Sequence, residues 1–141
     1  MLQGKQVKAV TWFNRAIKTG ETDSRALCGL GMVRNMQNRH NEAIELFARA
    51  LDSDPEQLSA LNGLVGSSYQ LGRFDEAERR LDDYLMYHPA DLDMLFSLAG
   101  IRYKMGNQAA ALDSIEKVLL FEPSYQGGRE LMDRIREQSA A

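Results

Sequence analysis

The chain of 141 residues sets seventeen Lys and Arg against twenty Asp and Glu, a formal net charge of −3, and holds a single cysteine. The length fits one compact unit. The acidic balance argues against a nucleic-acid partner, and one cysteine excludes an internal disulfide or a thiolate metal cluster. No run approaches the roughly eighteen apolar residues of a membrane span, and the start Met1-Leu2-Gln3-Gly4-Lys5 lacks a signal-peptide core, so the chain reads as soluble, with the cytoplasm favoured over the periplasm.

The three prolines, Pro55, Pro89 and Pro123, lie thirty-four residues apart, and the apolar pattern repeats with them. A repeat of this length is one helical pair that cannot bury its apolar face alone, so neighbours must stack. Counting back from each proline gives windows 24–57, 58–91 and 92–125, preceded by a partial unit over 1–23 and followed by a tail over 126–141.

In the partial unit Gly4 takes the turn position, and Ala9, Phe13, Ala16 and Ile17 make the stripe of a second helix without its first. The chain therefore reads as an excised piece that begins inside a repeat. Val7, Val10, Phe13 and Ile17 are expected to need cover, from an upstream repeat or from another copy of the chain docking on residues 5–19.

Each full window has the same plan. Leu27, Leu61 and Leu95, with Leu30, Leu64 and Leu98 three residues on, mark one face of a first helix. Asn38, Gly72 and Gly106 follow, residue types that accept the left-handed backbone of a helix stop. The second helix carries Ala43, Ala77 and Ala111, then Phe47, Leu81 and Ile115, then Leu51, Leu85 and Leu119, in steps of four. Proline closes each window because it lacks an N–H and restricts its predecessor. Small residues, Gly31, Val65 and Ala99 with the alanines, mark the contact inside each pair. Residues 128–138 predict a capping helix with Leu131, Met132 and Ile135 on one side. The total is about eight helices, all-α.

These residues resemble the tetratricopeptide repeat, over residues 1 to about 125, as about three and a half repeats and a cap. The departures are Arg34, Ser68 and Arg102, where the family favours tyrosine, and Val65, where it favours glycine or alanine; looser packing is expected there. The resemblance implies a right-handed superhelical stack of antiparallel helix pairs, a single domain over 1–141. It also implies a concave groove lined by the first helices. Carried over position by position, that groove takes Arg25, Cys28, Met32, Asn35 and Met36 from the first window. The second supplies Ser59, Asn62, Gly66, Tyr69 and Gln70, and the third Asp93, Phe96, Gly100, Tyr103 and Lys104.

Gly66 and Gly100 each stand three residues before a tyrosine, which makes a shallow floor beside a rigid amphipathic ring. The alternative is that the glycines let helices approach and the tyrosines pack on neighbouring repeats. Some family members grip a terminal carboxylate with basic and asparagine side chains. Here Cys28, Met32, Asp93 and Ser97 stand where that clamp would be, so an apolar or aromatic peptide suits the groove better, with Asn62 and Lys104 placed for hydrogen bonds.

Chemistry is weakly supplied. His40 lies twelve residues from Cys28, roughly 18 Å of helix rise, and His88 ends a different repeat, so no nucleophile has its base. Asp52, Asp54 and Glu56 imitate the start of a calcium loop, but Gln57 and Gly63 stand where the loop needs glycine and an acid. Arg79-Arg80 and Asp82-Asp83 read as a solvated helix face. The sequence thus points to a non-catalytic scaffold that binds a protein or peptide partner, with no cofactor, no metal, no nucleic acid and no membrane insertion. The alternative is a structural segment of a larger repeat protein that self-associates through its N-terminal helix. An RNA-reading array is disfavoured, since only Arg25 and Lys104 stand against Asp93 on the inner face.

Overall fold

The computed structural model describes residues 10, 11 and 23–140. Among them seven helices follow one another: α1 (Ser24–Met36), α2 (His40–Ser53), α3 (Leu58–Leu71), α4 (Asp75–Tyr87), α5 (Leu92–Lys104), α6 (Gln108–Phe121) and α7 (Gly128–Ala140). No strand occurs among the described residues. The fold is all-α, as predicted. The N-terminal helix of the sequence reading, and the self-association assigned to it, lie outside the described residues except for Val10 and Thr11, which are helical.

The first helices of the predicted pairs begin at Ser24, Leu58 and Leu92, thirty-four residues apart. Asp23 caps α1 by accepting from the Arg25 N–H at 3.0 Å, and Asp91 caps α5 by accepting from the Met94 N–H at 3.2 Å, each satisfying a donor the helix leaves orphaned. The predicted turn positions are left-handed, with φ of 60° at Asn38, 69° at Gly72 and 79° at Gly106. At each stop the next residue's N–H reaches back five residues, Arg39 to Arg34 O, Arg73 to Ser68 O and Asn107 to Arg102 O. α2, α4 and α6 each end two residues before a proline.

The chain divides into two compact units, one up to Arg80 and one from Leu81, with the division inside α4. In the first, α1 packs on α2 and both pack on α3. Leu27, Phe47, Leu51, Leu61 and Leu64 are fully buried there. The Phe47 ring sits where two side chains are missing: a Cβ on Gly31 would lie 2.8 Å from it, and one on Gly63 only 2.4 Å. In the second unit α6 packs on α5 and α7, around Leu95, Ala99, Ala111, Ile115, Val118 and Ile135.

Three of the four departures from the family pattern, Arg34, Ser68 and Arg102, make polar contacts. Ser68 is fully buried and donates to Leu64 O at 2.7 Å. Arg34 pairs with Glu42 at 3.4 Å, and Arg102 donates to Ser114 Oγ at 2.9 Å and to Asp82 at 3.0 Å. The solvated-face reading holds for Arg79 and fails for Arg80, which is only 12% exposed and ties α4 to the end of α2 through Asp52 at 2.6 Å, while also holding Glu76 at 2.9 Å. Asp52, the first acid of the imitated calcium loop, is thereby committed to a cation of its own chain.

Gly63→Ala is expected to cost about 1–3 kcal/mol, because the added methyl overpacks against Phe47. Urea denaturation should show that loss, and Phe47→Leu in the same background should recover part of it. Gly66→Ala is the control. A Cβ there meets nothing within 4 Å, so the substitution should leave stability unchanged or raise it by up to about 1 kcal/mol.

Candidate functional site

α1 and α3 lie against each other in the first unit, and a cleft of about 450 Å³ opens along them. Met32, Asn35 and Met36 come from α1, at the i, i+3, i+4 spacing that shares a helix face. Ser59, Asn62 and Gly63 face them from α3, and Phe47 of α2, itself buried, closes the floor. Met32 and Met36 are 52% and 58% exposed. Two flexible thioethers open to water above an aromatic floor adapt readily to an apolar guest.

Asn35 is fixed from behind. Its Oδ1 accepts from Ser67 Oγ at 3.0 Å and also meets His40 Nδ1. Among the described residues nothing accepts from its NH₂. Asn62 is exposed on the facing helix.

Of the residues expected on this face from the first two windows, Met32, Asn35, Met36, Ser59 and Asn62 come together. Arg25 is exposed but turns back on Asp23, its Nη2 3.4 Å from Oδ2. The Asp23 carboxyl is held below the ordinary carboxylate range by the backbone N–H of Arg25 and then by its side chain. Cys28 is a correction: it was expected to line the groove and is buried in the core, where desolvation pushes its thiol pKa up. A buried thiol of raised pKa is neither a surface contact nor a nucleophile.

Gly66 and Tyr69 are exposed on α3, with Gln70 beside them. Nothing approaches Gly66, so close helix approach does not explain this glycine. Tyr69 stands edge-on to Phe74, ring centroids 5.4 Å apart, and burial of part of its ring raises its hydroxyl pKa.

In the second unit the candidates lie on α5. Asp93 accepts from the Tyr125 hydroxyl at 2.6 Å, and the Phe96 ring leans on Tyr125 with centroids 5.1 Å apart. Tyr103 is half-buried against the core, with Lys104 Nζ 6.0 Å from its ring and Gln138 donating to its backbone carbonyl at 3.2 Å. Gly100 is partly exposed and Lys104 exposed.

Sequence reasoning missed Phe47 and Gly63 in the cleft and Tyr125 beside Asp93. Phe47 is core by its spacing, and it becomes a floor only because Gly31 and Gly63 carry no side chains beside it. Gly63 shows in the sequence only as a residue that spoils a calcium loop. Tyr125 stands two residues beyond a closing proline, and an aromatic at that place was its one signal.

Stacked antiparallel helices with left-handed stops at a fixed interval define a helical-repeat protein. Two sequence profiles described as tetratricopeptide repeat match residues 8–59 and 35–98. The chain belongs to the tetratricopeptide repeat family. No curated protein matches it. Among solved structures it resembles a tetratricopeptide repeat protein from Parabacteroides merdae (TM-score 0.73, 14% identity, covering 96% of this chain and 60% of that one). It also resembles the first such domain of Spaghetti (RPAP3) bound to the HSP90 peptide SRMEEVD (TM-score 0.70, 18% identity, covering 84% and 94%). A third is YrrB, a repeat protein with an unusual peptide-binding site (TM-score 0.69, 16% identity, covering 97% and 79%). At these identities the likeness is one of fold.

The Tyr125 hydroxyl has its pKa pushed up to about 12, first by burial and then by its hydrogen bond to Asp93. The folded state therefore holds this proton more tightly than the unfolded chain, whose tyrosines ionise near 10. The resulting stabilisation is complete below about pH 10 and is lost as pH rises toward 12. Ultraviolet titration of tyrosinate, with Tyr125→Phe to identify the band, should show this late ionisation. Asp93→Asn should move it down.

Proposed function

We propose that this chain is a peptide-binding scaffold whose principal contact is the Met32, Asn35, Met36, Ser59, Asn62 and Gly63 cleft over Phe47. Its units in this reading are residues 24–57, 58–91 and 92–125, with 1–23 a partial unit and 126–141 the cap. The general role, a protein-interaction scaffold without chemistry of its own, is that of its family.

The observation that carries the specific reading is the cleft itself: a concave apolar site with two asparagines at its sides, the usual character of a site that takes a side chain and orients its backbone. Gly66, Tyr69 and Gln70 continue the contact along α3. On α5, Asp93, Phe96, Gly100, Tyr103 and Lys104 are a second set of proposed contacts in the other unit, with Asp93 and Phe96 reached through Tyr125.

Two solved relatives support the ligand class, since one is named for a bound peptide and the other for a peptide-binding site. The ligand chemistry differs from that of the first. Its peptide carries three acidic residues, whereas here Arg25 is turned onto Asp23 and no other cation adjoins the cleft among the described residues. An apolar side chain, methionine, leucine or phenylalanine, flanked by uncharged backbone, fits better.

Selection of peptides from a displayed random library on the intact chain tests this. The enriched peptides should share one large apolar anchor and no acidic C-terminus. Met36→Glu should weaken them at least tenfold and Asn62→Ala several-fold, magnitudes ordinary for anchor contacts of about 1–2 kcal/mol. Enriched peptides that bind Met36→Glu as well as the parent would remove the cleft as the site.

A further inference from the structure

Outside the cleft, the large apolar side chains most open to water among the described residues are Leu120 (80%), Tyr87 (79%), Met86 (75%) and Phe121 (63%). They are two neighbouring pairs, thirty-four residues apart, at the C-terminal ends of α4 and α6, and all belong to the second unit. The residues just before them, Leu85 and Leu119, both pack on the core cluster of that unit. The two helix ends are thus anchored on one core, and their last two residues stand out from it.

Helix stacking does not require apolar residues there. The equivalent positions at the end of α2 are Asp52 and Ser53. Four exposed apolar side chains at two helix ends anchored on one core, which the repeat itself does not need, mark a contact surface.

The charges nearby say what kind of partner fits. Asp83 precedes Met86 by three residues and Tyr87 by four, Glu116 precedes Leu120 by four, and Glu122 follows Phe121. All three acids are exposed, and no cation pairs with them among the described residues. Lys117, the only cation on α6, is held by Asp113 at 3.1 Å. From Leu81 to Tyr125 seven acidic residues stand against three basic ones. A second copy docking through the same patch sets acid against acid, and so does an anionic lipid surface.

We propose that Met86, Tyr87, Leu120 and Phe121 form a second docking surface, separate from the peptide cleft, whose occupant is a basic amphipathic segment of another protein. Its apolar face covers the four side chains, and its Lys or Arg residues approach Asp83, Glu116 and Glu122. Electrostatic attraction brings the segment in and sets its orientation, and apolar burial holds it.

The test uses the full chain and a labelled amphipathic peptide with leucines on one face and lysines on the other, followed by fluorescence anisotropy. The decisive variant copies the end of α2 onto the other two helices: Met86→Asp, Tyr87→Ser, Leu120→Asp and Phe121→Ser. Binding should fall at least tenfold, although this variant adds two negative charges that would by themselves attract the peptide. Asp83→Asn with Glu116→Gln and Glu122→Gln should weaken binding several-fold, and raising salt from about 0.05 to 0.5 M should do the same. Thermal melts establish that each variant folds. If the fourfold variant melts early, Tyr87→Ser and Phe121→Ser alone carry the test, each with an expected loss of at least threefold. Absence of binding by the lysine peptide would overturn the proposal, as would equal binding of the fourfold variant or of a peptide with glutamates in place of the lysines. A dimer of the parent chain, seen by sedimentation and lost in the fourfold variant, would assign the patch to a second copy instead.

Discussion

The first unit depends on one aromatic ring held between two absent side chains. Phe47 is completely buried, and the space it fills belongs to the missing Cβ atoms of Gly31 and Gly63. The ring lies between α1 and α3, so its thickness contributes to how far apart those helices stand. The cleft opens along the same two helices, above the ring. Because interiors are packed to crystal-like density, a single methyl group at either glycine is felt at once. The stability of the unit and the depth of its proposed binding site thus rest on the same contact.

Polar ties complement that apolar one. Arg80 links the end of α2 to α4 through Asp52, and Arg102 links α5 to Ser114 of α6 and to Asp82 of α4. Both arginines are largely covered, and each satisfies more than one acceptor, the condition under which a partly buried guanidinium is tolerated. Two of the three positions where the family favours tyrosine hold arginine in this chain, and the ring's lost area is replaced by directional bonds. The Ser67–Asn35–His40 contacts work in the same way at smaller scale, fixing an amide that lines the cleft.

Much of this was legible in the sequence, and the reasons are physical. Asn38, Gly72 and Gly106 announced left-handed stops because few other residue types tolerate that backbone. The prolines gave the helix ends, and the leucine and alanine stripes gave the buried faces. Met32, Asn35, Met36, Ser59 and Asn62 were placed on one surface by the resemblance to the tetratricopeptide repeat, carried over position by position. What failed were readings that depend on contacts distant in sequence. Cys28 sits on the expected face of its helix, but spacing does not say what covers that face. Arg80 looked solvated because its partner Asp52 is twenty-eight residues away. Gly63 repeats Gly29 of the first window but not Ser97 of the third, and the period does not say which ring would fill the space beside it.

The burial of Cys28 has a kinetic consequence. It is the only thiol in the chain, it lies within the first unit, and its proton is held more tightly than usual. An alkylating reagent reaches such a sulfur mainly when the helices around it part, so the rate of modification becomes a clock for local opening. In a stacked array each unit leans only on its neighbours, and opening need not involve the whole chain. The protein therefore carries a native reporter of how often its first unit comes apart, readable by mass spectrometry without any engineered label.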